Sequence, residues 1–316
     1  MERAIECCSS LSDVDEDDIP ITSLHLKLTP KEFEASGWSA RQLGFVQAVY
    51  NAQQLRYDPP EYDLMEDSML RLQEYTGITN EEIQELLKAD VVRHDTDHPH
   101  RLYSVPASGR HAIGEQYRQG IDYGHGKGDL DESSEHVLAV EILRQHIIEE
   151  YQKDPDSRVT EVVPYYELDE QDEPAFPADA FMATSEDTPR EASEEYDQRR
   201  LDVVGLDTKG SVVVAGEAER INHDVARAVP RDYDKMAACN PEEAIWVVMS
   251  QSAGHDVLQA LNDPLEGEPR VEKTYAPTTP PHQFRIQEPG LTAVYPAEWL
   301  HKQTKAKVNR ESLDQS

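Results

Sequence analysis

Arg200-Leu-Asp-Val-Val-Gly-Leu-Asp-Thr-Lys-Gly-Ser-Val-Val-Val-Ala-Gly-Glu-Ala-Glu219 decides how the second half of the chain is read. Val203, Val212 and Val214 are β-branched and suit a pleated surface. Asp207-Thr-Lys-Gly210 supplies Asp and Gly where the chain must reverse. The stretch is expected to form a hairpin, with strands over 201–206 and 211–217. Asp202 then opens the first strand, and Glu217 and Glu219 close the second. Side chains two apart on a strand share a face. Glu217 and Glu219 therefore point together, and Asp202 on the neighbouring strand can join them. Three carboxylates at a strand end make a hard, oxygen-rich site suited to Mg²⁺ or Mn²⁺. An ion held there lowers the pKa of a bound water and stabilises a leaving phosphate oxygen. An acidic chain collects carboxylates in any hairpin. Here the run Val212–Gly216 is apolar, which puts Glu217 after a buried strand rather than on an acidic surface.

Working outward, Ser134–Tyr151 carries an amphipathic helical pattern, with Val137, Val140, Ile142 and Leu143 as its apolar stripe and Ser134 as its cap. A strand is expected over Arg158–Tyr166, a helix over Asp224–Cys239, a strand over Ala244–Met249 and a helix over His255–Leu261. Residues 167–198 hold three Pro and many acids without a period, and are expected to be an exposed loop or insertion. Pro296–Lys305 can pack as a short helix; residues 301–316 are expected to be a flexible tail.

This order of elements around Asp202, Glu217 and Glu219 resembles the PD-(D/E)XK nuclease-like superfamily, over roughly residues 130–265 within a domain of 134–300. The resemblance implies an α/β fold of restriction-endonuclease-like type: a mixed sheet flanked by helices. It implies Asp202 and Glu217 as ligands of Mg²⁺ or Mn²⁺. Leu201 stands where the motif usually has Pro, and Glu219 where it usually has Lys. Some members carry Glu there, and Glu219 then orients the attacking water. In others the Lys moves to the following helix, which makes Lys235 the candidate. Many members add a Glu from the first helix; Glu135 and Glu141 both qualify, and Glu141 is preferred.

The first half reads differently. Met69, Leu70, Leu72 and Tyr75 mark a helix stopping at Gly77, and Thr79-Asn-Glu-Glu82 has the form of a capping box before a second helix with Ile83, Leu86 and Leu87. Two strand-like runs within Val91–Val105 flank an Asp/Pro/His loop, followed by a helix over Ser108–Arg118; Thr29–Gln54 is expected as a long supporting helix. The block 21–120 resembles winged-helix domains. Such a fold implies DNA contact through the second helix, whose candidates are Asn80, Gln84 and Lys88, and through the wing and beyond, whose candidates are Arg93, Arg101 and Arg110. Three Glu on that helix oppose phosphate contact. His94, His98 and His100 cluster on the loop without a fourth ligand at zinc spacing, and are expected to be solvated.

The chain has 316 residues with 63 Asp+Glu and 30 Lys+Arg (11 Lys, 19 Arg), a net charge of −33 and a mean hydropathy of −0.71. This resembles the composition of proteins from halophilic archaea, where molar salt screens like charges within about 3 Å. Acidity of that origin says little about the partner. No run of 18 apolar residues occurs and the N-terminus has no basic-then-apolar order, so a cytoplasmic protein without a membrane partner is expected. Three cysteines make no disulfide framework. Residues 1–20 are expected to be an acidic disordered tail, and 121–133 a Gly/Asp-rich linker. The leading reading is a metal-dependent DNA endonuclease or a related DNA-processing protein, with a homodimer open. A non-catalytic DNA-binding regulator and a protein-interaction module are the alternatives.

Overall fold

The computed structural model describes residues 26–58, 61–115, 132–168, 200–219 and 225–314. The acidic tail 1–20, most of the linker 121–133 and nearly all of the loop 167–198 lie outside the described residues. Two compact units are found, divided between Leu138 and Ala139.

The first unit holds α1 (Pro30–Ser36), α2 (Ala40–Gln53), α3 (Leu70–Thr76), α4 (Asn80–Lys88), an antiparallel pair of β1 (Arg93–Thr96) and β2 (Leu102–Ser104), and α5 (Ala107–Ala112). The single helix expected over Thr29–Gln54 is two. Gly37 takes the left-handed conformation (φ 74°) and ends α1, and Ser39 with Gln42 forms a new capping box for α2. α2 is buried almost all round, with Leu43, Phe45, Val46, Val49 and Tyr50 in the core. That burial selects the sequence on every face. Of its buried amides, Gln47 donates to Asn51, and Gln53 accepts from the Val105 amide. α3 ends at Gly77 (φ 67°), and the capping box Thr79/Glu82 starts α4 as expected. α5 is shorter than Ser108–Arg118, starting after Pro106.

The second unit begins within α6 (Ser134–Ile147), which runs on as a π-helical turn, Ile148–Gln152. Ser134 is not the cap of α6. Its hydroxyl donates to the Tyr103 carbonyl, and Ser133 accepts from the His136 amide instead. Then come β3 (Glu161–Glu167), β4 (Arg200–Leu206), β5 (Val212–Glu219), α7 (Val225–Ala238), β6 (Glu243–Val248), α8 (Gln251–Asn262), β7 (Ala293–Pro296) and α9 (Ala297–Asp314). The helix α9 reaches Asp314, where a flexible tail 301–316 was expected; buried Leu300 and Thr304 anchor it.

The sheet order is β3-β4-β5-β6-β7. β3, β4 and β5 are antiparallel neighbours, while β5, β6 and β7 run parallel. The fold is therefore α/β with a mixed five-stranded sheet flanked by helices. The turn between β4 and β5 is made by Asp207, whose Oδ1 accepts from the amides of Lys209 and Ser211, and by Gly210 at φ 78°. Those amides hold the Asp207 carboxyl below its ordinary value.

Alternation along the strands sends Val204, Ala215, Trp246 and Val248 to one face, where they pack with Val229, Tyr233 and Met236 of α7 and Val257 and Leu261 of α8. Burial of each Val, Leu and Met among them is worth roughly 1.5–3 kcal/mol. Trp246 is fully buried and its indole N–H donates to the Gly290 carbonyl at 2.9 Å. The opposite face meets α6. A Cβ on Gly216 would stand 2.7 Å from Leu143 Cδ2, so glycine lets helix and strand approach. Gly216→Val is expected to destabilise the protein by ~1–3 kcal/mol through overpacking, read as a lower denaturation midpoint; an unchanged midpoint would mean the α6–β5 contact is loose.

Candidate functional site

The β4–β5 ladder pairs Val203 with Gly216 and goes no further. At the next position the Asp202 side chain takes over from the backbone. Its Oδ2 accepts from the Ala218 amide at 2.8 Å. On the other side, Tyr165 drops out of the pairing between Pro164↔Val203 and Tyr166↔Leu201. Tyr165 sits at φ 51°, the left-handed region, with the Arg200 guanidinium 5.3 Å from its ring centre. A bulky residue held there costs on the order of 1–3 kcal/mol, and such strain gathers at functional sites. Asp202 thus lies where the sheet is irregular on both sides.

Glu217 follows Gly216 and points to the opposite face, towards α7 and not α6. It is 6 % exposed. Its Oε1 makes no hydrogen bond, although Lys235 Nζ lies 3.3 Å away. Lys235 is itself 4 % exposed. Its ammonium donates to the Arg200 carbonyl at 2.8 Å and lies 2.7 Å from Asp232 Oδ1. Asp202, Glu217, Asp232 and Lys235 therefore form one cluster, drawn from β4, β5 and α7. Burial pushes the Glu217 carboxyl well above its ordinary 4.5; Lys235 pulls it back in part, while Asp202 and Asp232 push it up further.

Glu219 is also buried, two residues on along the same face. Two residues of strand are about 6.6 Å of rise. Among the described residues no group of three or more His, Cys, Asp or Glu is placed to hold a metal ion. The convergence of three carboxylates expected from the hairpin is not found among the described residues. Asp202 and Glu217 are the pair that meet, close enough for Asp202 to help push the Glu217 carboxyl up. Mg²⁺ keeps several waters and commonly takes only one or two carboxylates plus substrate phosphates. The pair, with its buried unbonded oxygen, fits that kind of ion and not one caged by protein ligands alone.

Glu141 does not join the cluster. It is held by Arg144 at 2.6 Å and by Gln145, on the helix that covers the Gly216 face. Asp232 is the member that sequence reasoning missed; its spacing of three from Lys235 on a helix was the signal. A cleft of about 740 Å³ lies elsewhere, at the start of β6 and β7, lined by residues including Glu243, Lys273, His282, Arg285 and Tyr295. It mixes both signs of charge and includes none of the cluster.

In the first unit, Asn80, Gln84 and Lys88 are exposed and spaced by four, so they form one stripe on α4. Glu82 is held by the Thr79 cap and by Arg41, and Glu85 accepts from Gln42 of α2. Two of the three acids expected to repel phosphate are thus turned to α2. Arg93 is exposed and paired with Asp90, and Arg101 with Asp97. Arg110 cannot touch DNA: it is fully buried, donating to the Val105 carbonyl. His94 lies 3.3 Å from Asp97 and His100 meets the Leu64 carbonyl, so the loop histidines do not converge.

No protein-family model, curated protein or solved structure matches the chain. Among the described residues no helix is long and apolar enough to cross a membrane.

The raised Glu217 value carries a sign. In the unfolded chain the carboxyl titrates near 4.5, so between that pH and its folded value the native state binds more protons. Stability from this group is full at low pH and is lost as pH rises. In cation-free buffer, Glu217→Gln is expected to raise the melting temperature at neutral pH, with the gain vanishing towards about pH 4. Thermal unfolding across pH tests this; a gain independent of pH would remove the buried charge as its cause.

Proposed function

We propose that the protein is a metal-dependent DNA endonuclease or a closely related DNA-processing enzyme, with its site at Asp202, Glu217 and Lys235. One observation carries the reading: where the β4–β5 ladder opens, Asp202 takes the Ala218 amide and the buried Glu217 beside it stands 3.3 Å from a buried ammonium. The order α6, three antiparallel strands, α7, β6 supports a nuclease-like fold of the PD-(D/E)XK kind. Phosphodiester hydrolysis needs an activated water and positive charge against the phosphate. A Mg²⁺ or Mn²⁺ ion held by Asp202 and Glu217 supplies Lewis acidity when bound. Lys235, reaching from α7, occupies the role of the lysine that position 219 lacks, and offers a positive charge beside Glu217. Burial of the cluster keeps water from weakening that charge. Glu219 contributes to the acidic field from two residues further along β5.

Duplex DNA is held, in this reading, by a winged-helix first unit. The stripe Asn80, Gln84 and Lys88 faces the groove, and Arg93 and Arg101 of the hairpin meet the backbone. The composition supports work in molar salt. A second reading, a regulator that binds DNA without cutting it, is favoured by the absence among the described residues of three converging metal ligands.

Cleavage of supercoiled, linear and branched DNA is measured in molar KCl with Mg²⁺ or Mn²⁺. Asp202→Ala and Glu217→Ala are each expected to lower the rate by on the order of a hundredfold or more, the several kcal/mol an ion contributes. Retained binding without cutting by the wild type would transfer the assignment to the regulator. Lys88→Ala is expected to weaken duplex binding about equally on unrelated sequences and to reduce the salt slope by about one; a sequence-selective loss would place Lys88 on a base edge instead.

A further inference from the structure

We infer that Asp232 is a positioning residue for Lys235, and that the pair together replaces the lysine missing from β5. This rests on the nuclease reading above. Lysine is a compact charge on a flexible stem of four carbons, and unheld it samples many positions. A lysine within the strand motif would start beside Glu217, on the same strand. One that reaches in from a helix needs something else to fix it. Asp232 lies three residues earlier on α7, and its Oδ1 stands 2.7 Å from Lys235 Nζ. The Arg200 carbonyl takes a second ammonium proton at 2.8 Å. These two contacts fix the nitrogen from the helix side and from the start of β4, and Glu217 Oε1 lies 3.3 Å away without a hydrogen bond. The ammonium is therefore steered by Asp232 and Arg200, which hold it within 3.3 Å of Glu217 Oε1.

The side chains differ in a telling way. Asp232 is 20 % exposed and Lys235 5 %. A partly solvated carboxylate tolerates its charge, so Asp232 can hold a buried ammonium without itself being buried. Asp234, two residues on, points elsewhere and pairs with Arg270 at 2.8 Å. The same helix thus offers its own control: Asp234→Ala removes an α7 carboxylate without touching Lys235.

Two readouts test the assignment on the full-length protein. The first needs no activity: the nitrogen–proton spectrum of lysine side chains in metal-free protein. A slowly exchanging ammonium signal, absent in Lys235→Arg, is expected in the wild type. It should persist in Asp234→Ala and broaden or disappear in Asp232→Asn. The second is cleavage kinetics with Mn²⁺. Asp232→Asn is expected to lower kcat by about ten- to a hundredfold, the usual effect of losing an outer-shell partner, with KM for DNA unchanged. Asp232→Glu should restore part of it, and Asp232→Asn should add nothing in a Lys235→Ala background. A Lys235 signal unchanged in Asp232→Asn overturns the assignment, as does an unchanged kcat or a full additive loss in the double variant. No cutting by the wild type overturns the nuclease reading and any catalytic part for Asp232. That failure is told apart from the first because the spectrum does not depend on turnover.

Discussion

The buried ammonium of Lys235 is the constraint on which the second unit's site depends. Moving an ion out of water costs several kcal/mol even after the protein relaxes. Lys235 recovers that cost only because three oxygens from three elements are already in place: Asp232 on α7, the Arg200 carbonyl on β4 and Glu217 on β5. The arrangement is electrically incomplete. Three carboxyls, Asp202, Glu217 and Asp232, share their cluster with one ammonium, which pairs with the last two. A cluster of that kind holds a proton or calls for a further positive charge, and the elevated Glu217 carboxyl is the first of these outcomes. The metal ion proposed above would answer the same imbalance in the second way.

Sheet connectivity explains why these residues meet. The hairpin turn at Asp207–Gly210 places the start of β4 beside the end of β5, so Asp202 and Glu217 become neighbours despite the residues between them. The connection from β5 to the parallel β6 passes through α7, which packs on β4, β5 and α8. Val229, Tyr233 and Met236 form the buried stripe of α7 and fix its rotation, which carries Lys235 inward and leaves Asp232 at the margin. Leu143 against Gly216 does the corresponding work on the other face. That division of faces is why a glutamate on α6 is poorly placed for the cluster, whatever its spacing in sequence.

The hairpin, its turn and the order of elements were legible because they rest on local chemistry: β-branched runs, an Asp/Gly turn and helical periodicity. Lys235 was legible as a candidate, from the helix that follows the hairpin. What failed depended on distance through space. Arg110 looked like a surface cation, since nothing in Ser108–Arg118 marks it as fully buried. Glu219 looked like a third ligand because alternation gives a face and not a separation. α9 looked frayed because its polar sequence hides the few residues, Leu300 and Thr304, that anchor it. The break between α1 and α2 was carried by Gly37 and Ser39, capping signals that the longer apolar period masked.

The charge of the chain and the charge of α4 are separate quantities. A net −33 is a property of the whole sequence, while a phosphate approaching α4 meets the side chains within about a Debye length. Glu82 is taken up by the helix cap and Arg41, and Glu85 by Gln42, so the exposed stripe presents Asn80, Gln84 and Lys88. At molar salt the Debye length falls to about 3 Å, and acids elsewhere on the surface cease to be felt there. The same salt weakens every phosphate contact, since each counterion released into concentrated salt gains less free energy. Under the proposed reading, DNA contact in such a medium would rest on groups that hydrogen-bond as well as attract, and a stripe of two amides and one lysine meets that requirement better than a row of lysines would.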